Sequence, residues 1–274
     1  MKSILFGSLI IVVALAKVGE AEASPLYAAE YGGSAIYQVD PSDGSSASIG
    51  SASHNTNGLA YNPLISTMYT IDAGVLYTLD LSDASTSLIG GGNASFFTGL
   101  TFNGDYSKLL SANSNGLYSI DPLTGTASLI GPFQNATFFG GIIDLATNSN
   151  GVVYGMGLDG DLYTVDDTTG EATFVASTGV ANGFTSISFD ENDVLYGIST
   201  CCDTNIPDDS LVIINALNGA TTLVGGDIGS DARGLAFAIP APSTVPLPAT
   251  LPLLMSSLGI LSIIGWRRRK VAQA

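Results

Sequence analysis

The fold class this chain predicts is all-β: a five-bladed β-propeller closed by strands from both ends of the chain, with an N-terminal signal peptide and a C-terminal single helix outside it. Three observations predict the ring. A strand-turn-strand text recurs five times, as AIYQVDPSDGSSASIG at Ala35, VLYTLDLSDASTSLIG at Val75, GLYSIDPLTGTASLIG at Gly116, DLYTVDDTTGEATFVA at Asp161 and LVIINALNGATTLVG at Leu211. Four copies are followed by a second strand pair, beginning GLAYNP at Gly58, GLTFNG at Gly99, GIIDLA at Gly141 and SISFDE at Ser186. The strand GLAFAI at Gly234 has no partner after it, while Leu26 to Ala29 and the hairpin from Ala35 have no first strand before them. Joined, these fragments make one complete four-stranded unit, so the count is five.

Corresponding positions Tyr37, Tyr77, Tyr118, Tyr163 and Val212 lie 40, 41, 45 and 49 residues apart. A fixed period of this length marks a repeat array. Each unit carries alternating apolar and aromatic residues, then a turn, then a β-branched and aliphatic strand. Asp121 ends the first strand of its copy, Pro122 presets φ, and Gly125 supplies a left-handed turn residue; Asp40, Asp80 and Asp166 repeat the first role. Turn capping suits these aspartates better than a row of metal ligands does. The chain has 33 glycines and almost no helical periodicity. Radial packing covers both faces of every sheet and protects its edges, which a sandwich or an open solenoid of these units does less economically.

Residues 1–23 read as a signal peptide: Lys2, the apolar run Ile4 to Ala16, then small residues at Ala21 and Ala23. The propeller occupies 24–239, long enough for one substantial core. It holds 22 of the 24 acidic residues and two basic ones, Lys108 and Arg233, for a formal charge of about −20. Such a surface repels nucleic acid, which is excluded as a partner. It tolerates cations, and calcium is a candidate at Asp159 and Asp161 or at Asp203, Asp208 and Asp209. Neither group has the spacing of a twelve-residue calcium loop, so no metal site or cofactor is assigned.

No catalytic constellation stands out. His54 is the single histidine and sits in the polar connection SASHNTNG, where an exposed loop histidine is expected. Carboxylate pairs of the glycosidase type arise by chance in so acidic a chain. Two features are candidates for contact with a ligand. One is the loop of Cys201, Cys202, Asp203, Asp208 and Asp209, an insertion whose adjacent cysteines have Cα atoms about 3.8 Å apart, short of ordinary disulfide geometry. The other is the aromatic pairs Phe96, Phe97 and Phe138, Phe139, in the related texts NASFFTG and NATFFGG, which are placed to stack on a sugar at one end of the channel; core packing is the competing role.

Beyond Ile239 the text changes. Residues 240–248 form a Pro-rich linker, 249–270 an apolar run with a basic stop, and 271–274 a short tail. From Ala249 to Trp266 there are 18 residues, about 27 Å as a helix, which predicts a membrane-spanning helix with Arg267, Arg268, Arg269 and Lys270 on its cytoplasmic side.

Val245, Pro246, Leu247 and Pro248, the apolar run and the terminal basic cluster together resemble the PEP-CTERM sorting signal of exported Gram-negative bacterial proteins. Leu247 stands where the family's name-giving motif has glutamate. The resemblance covers about 30 residues. It implies recognition and cleavage by an exosortase in the inner membrane, and association with extracellular polysaccharide and biofilm; it carries nothing about the activity of the ring. The body is similar to uncharacterised exported propeller domains. The expected protein is therefore exported across the inner membrane, anchored transiently by its C-terminal helix, and then found at the cell surface or outside it. There it serves as a binding or structural module for polysaccharide or matrix protein. The alternative is a carbohydrate-active enzyme using carboxylates at the mouth of the propeller.

Overall fold

The computed structural model describes residues 23–93, 97–114, 116–133, 141–180, 183–199, 206–226, 228–229 and 231–241. Twenty strands form five four-stranded antiparallel sheets. The first blade contains β1 (Leu26–Glu30), β2 (Ala35–Val39) and β3 (Ser46–Ser51). The second runs from β4 (Leu59–Asn62) through β5 (Thr67–Asp72) and β6 (Val75–Leu79) to β7 (Thr86–Gly91). In the third, β8 (Thr98–Phe102), β9 (Leu109–Asn113), β10 (Gly116–Ile120) and β11 (Ala127–Gly131) follow in order. The fourth has β12 (Ile142–Thr147), β13 (Val153–Gly157), β14 (Asp161–Val165) and β15 (Ala172–Ser177). The fifth has β16 (Phe184–Phe189), β17 (Leu195–Ser199), β18 (Leu211–Ile214) and β19 (Thr221–Gly225).

The last strand, β20 (Ala232–Phe237), pairs with β1 and completes the first blade, with Leu26 opposite Phe237 and Ala28 opposite Leu235. Chain ends therefore close the ring within one sheet, as the split repeat predicts. The innermost strands β4, β8, β12, β16 and β20 pack on one another around the axis. Five buried clusters, one at each junction between blades, make up the core.

The recurrent text has a physical cause at the outer rim. Each turn between the third and fourth strands is held by a carboxylate or amide: Asp80 Oδ1 accepts from Ser82 N at 2.8 Å and Ser82 Oγ at 2.6 Å, Asp121 from Leu123 N at 2.8 Å, and Asn215 from Leu217 N at 2.9 Å. The turn then abuts the end of the preceding blade's outer strand, backbone to backbone. A Cβ on Gly131 would collide with the carbonyl oxygen of Thr169, and one on Gly225 with that of Asp43. Turn glycine and strand-end glycine are thus two halves of one contact. Ala84 takes the turn position in the second blade at φ 63°, a left-handed conformation that strains a side chain. Every third-to-fourth strand ladder also shifts register at the same place, for example between Leu76 and Tyr77 and between Leu162 and Tyr163. Such bulges twist an exposed edge away from pairing with another chain.

The expected membrane-spanning helix is corrected. Every described element is a strand, and among the described residues no helix is long and apolar enough to cross a membrane, which bears on helices alone. Residues 1–22 and 242–274, with the signal peptide, the sorting motif and the basic stop, lie outside the described residues.

Candidate functional site

The five inner strands align residue by residue, and their differences locate the site. The first position is Gly58, Gly99, Asp144, Ser186 and Gly234; the second is Leu59, Leu100, Leu145, Ile187 and Leu235; the third is Ala60, Thr101, Ala146, Ser188 and Ala236; the fourth is Tyr61, Phe102, Thr147, Phe189 and Phe237. Large second and fourth residues of one strand pack against the small third residue of the strand before it: Leu100 and Phe102 share a cluster with Ala60, and Ile187 and Phe189 with Ala146. This alternation lets neighbouring inner strands interdigitate closely around a common axis.

Aromatic pairs reinforce the junctions. Phe102 meets Tyr69 at 5.6 Å between ring centroids, Phe189 meets Tyr154 at 5.2 Å, and Phe237 meets Tyr196 at 5.3 Å. Between the third and fourth blades the pair is missing: Leu110 stands opposite the tyrosines, Thr147 opposite the phenylalanines. There Thr101 Oγ1 donates to Thr147 Oγ1 at 3.1 Å. Lys108 bridges the same junction, 3.6 Å from Asp167 Oδ2, and Asn103 Nδ2 donates to that carboxylate at 3.2 Å. One junction is polar where others are aromatic.

At this end of the axis lies a cavity of about 100 Å³ walled by all five inner strands. Its wall is the aliphatic ring of Leu59, Leu100, Leu145, Ile187 and Leu235. Its rim is aromatic except at Thr147, where Asn103, Asn148 and Ser149 bring amide and hydroxyl groups. Half-buried Tyr106, at φ 60° and 6.3 Å from Phe102, closes one side. No described residue lining the cavity carries a charge, although the body is strongly acidic. A broader recess of about 510 Å³ lies beside it between the fourth and fifth blades, lined by Tyr154, Phe189, Ile213 and Asp193 among others.

Directly next to the cavity wall, the β12 departure at Asp144 places a carboxylate on the axis. It is fully buried and accepts hydrogen bonds from the N–H groups of Leu145 and Ile187, each at 2.8 Å, from Leu100 N, and from the hydroxyl of Ser186. Burial pushes its pKa up to about 7, against the downward pull of those four donors. The turn aspartates show the opposite: hydrogen bonds from Ser42, Ser82 and Thr168 hold Asp40, Asp80 and Asp166 below the usual carboxylate range.

The residues singled out from the sequence scatter. Phe97 is 1% exposed and packs edge-on against Tyr118 at 5.1 Å, so it belongs to the core and offers no face to a ligand. Phe96, Phe138 and Phe139 lie outside the described residues, as do Cys201, Cys202 and Asp203. Asp208 is exposed; Asp209 accepts from Asp231 N at 3.1 Å and from Ala232 N, tying its loop to the start of β20. Asp159 is engaged by Asp161 N and by Tyr163 Oη at 2.8 Å. Among the described residues no three acidic, cysteine or histidine side chains are grouped to hold a metal ion. His54, expected in an exposed loop, is instead half-buried and stacked on Tyr77 at 3.7 Å, with both ring nitrogens buried and desolvation lowering its pKa. Asp144 and Thr147 were missed because GIIDLA invites alignment on Gly141. Aligning on the leucine puts Asp144 against the glycines and Thr147 against the aromatics.

No family model matches this chain, and no curated protein matches it. Solved structures do. One, described as a symmetrical protein whose de novo evolutionary emergence is shaped by folding constraints, has a TM-score of 0.54 and 19% identity, covering 79% of this chain and 99% of the other. Another, a crystal structure of a nidogen/laminin complex, has a TM-score of 0.51 and 12% identity, covering 78% and 84%. At these identities the likeness concerns the fold alone.

Proposed function

We propose that this is an exported binding and structural protein of the cell surface or extracellular matrix, and that the axial cavity receives an uncharged group of its ligand. The observation that carries this reading is the lining of that cavity, aromatic and aliphatic with hydroxyl and amide groups at one junction and no charge. A neutral polysaccharide, or an uncharged side chain of a matrix protein, has the matching chemistry. The nidogen/laminin structure, in which a chain of this fold was crystallised in a complex, supports a role in binding. The enzyme alternative needs a proton donor and acceptor facing the substrate. Asp144, the carboxylate at the axis, is buried beneath the wall with donors on every side. The leader at 1–23 and the sorting-like text from Val245 to Pro248 and Arg267 to Lys270 support export and processing by an exosortase-like enzyme.

The test is a pull-down of the producer's extracellular material with the purified protein, followed by product analysis of bound polysaccharide. Saturable binding without new reducing ends or unsaturated sugars is expected. Turnover abolished by one Asp or Glu substitution at the mouth would replace this reading with the enzyme. Intact mass of protein recovered from its host is expected to lack 1–23; a retained leader on cytosolic protein would overturn export.

A further inference from the structure

The inner strand of each blade has one edge without a neighbouring strand, and that edge faces the axis. Backbone N–H groups along it need acceptors. At the level of Asp144 the N–H groups of Leu100, Leu145 and Ile187, from three successive blades, converge on one carboxylate together with the Ser186 hydroxyl. All four donors are neutral, and no charged group acts on Asp144. Side chains are otherwise nearly absent at this level. A Cβ on Gly99 would collide with the Asp144 carboxylate, and one on Gly58 with the backbone of Gly99. One carboxylate therefore serves an axis shared by five strands. Converging backbone N–H groups form a concavity that receives a carboxyl group, and burial there favours its neutral form over the anion.

We propose that the ring axis is a binding site for a small carboxylic acid, occupied from within the chain by Asp144, and that formic acid occupies it when that side chain is removed. Asp144→Gly gives β12 the residue found in the second, third and first blades at Gly58, Gly99 and Gly234. It leaves the donors of Leu100 and Ile187 in place with nothing to accept from them. The site lies beneath the cavity wall but does not depend on what that cavity binds, so it stands or falls separately from the proposed function.

The experiment measures Tm of the full-length protein, Asp144→Gly and Asp144→Asn at pH 5, where formate supplies some neutral acid, in sodium formate titrated against sodium chloride at equal ionic strength. Asp144→Gly is expected to melt below wild type, and formate to restore at least half of the loss with a saturable dependence that chloride does not match. Wild type and Asp144→Asn, whose axis is filled by a side chain, are expected to show no formate-specific shift. Equal recovery with both salts, or none with either, would overturn the site. Should Asp144→Gly fail to fold, Asp144→Ala, which leaves the same donors without an acceptor, takes its place under the same two salts: formate-specific recovery is expected, and equal recovery with both salts or none with either would overturn the proposal.

Discussion

The outer rim and the axis of this ring are made from the same repeat and have taken opposite courses. At the rim each blade repeats a carboxylate- or amide-capped turn set against the outer strand of the blade before it. At the axis four inner strands keep to small, aliphatic, small, aromatic, and β12 departs from it twice, at Asp144 and Thr147. Aspartate itself shows the contrast. Asp80 faces water and is held ionised by its own turn, whereas Asp144 is sealed among three strands with its pKa raised. Residues on which the repeats agree serve ring closure; those where one repeat departs serve a local site.

The largest effect is expected from breaking closure itself. Deleting Leu235 to Ile239 removes half of β20, and with it much of the pairing to β1 and four residues that line the cavity, Leu235, Ala236, Phe237 and Ile239. Equilibrium unfolding should show loss of cooperative folding across the ring; unchanged stability would mean that the blades stand independently.

Next is the pH dependence from Asp144. Its folded pKa, about 7, lies above the ordinary 3.8, so its contribution to stability is fully present below the ordinary value and is lost as pH rises through 7. Between about pH 4 and 7 this group alone should lower stability by up to about 1.4 kcal/mol per pH unit. Turn aspartates act with the opposite sign and in another window: their contribution is present above the ordinary value of 3.8 and is lost as pH falls through their depressed pKa values, where protonation releases the caps. Denaturant unfolding of wild type and Asp144→Asn across pH separates the two, because only the former should carry the neutral-range slope.

Smaller effects belong to single rim contacts. Gly131→Ala sets a Cβ against Thr169 and should destabilise by about 1–3 kcal/mol. Ala84→Gly relieves a left-handed alanine and should stabilise by up to about 1 kcal/mol. Thermal melts of both check that the rim is governed by backbone approach; a neutral Gly131→Ala would show that the rim can move apart.

The sequence made the rim legible and the axis much less so. Turn chemistry is local, so DPLTG announces its cap and its left-handed glycine without tertiary information. The split first blade was legible as well, since GLAFAI lacks a partner and Leu26 lacks a first strand. The channel was different because its meaning depends on register among strands more than forty residues apart. His54 looked solvent-facing because a polar connection does not reveal a neighbouring tyrosine ring. Phe97 looked available because paired aromatics do not state which face they present. Asp144 was hidden among 19 aspartates until the inner strands were aligned by their pairing.

The central claim is that the departure at β12 opens an uncharged site for a ligand, and restoring the repeat tests it most directly. Thr101→Ala with Thr147→Phe gives the third and fourth blades the small-aromatic match used elsewhere and fills the polar gap in the rim. Saturable binding of the producer's extracellular material should be measured for wild type and this double variant, with Tm confirming that both are folded. The account predicts that binding falls at least tenfold while Tm is unchanged or raised, whereas undiminished binding by a folded double variant would contradict it.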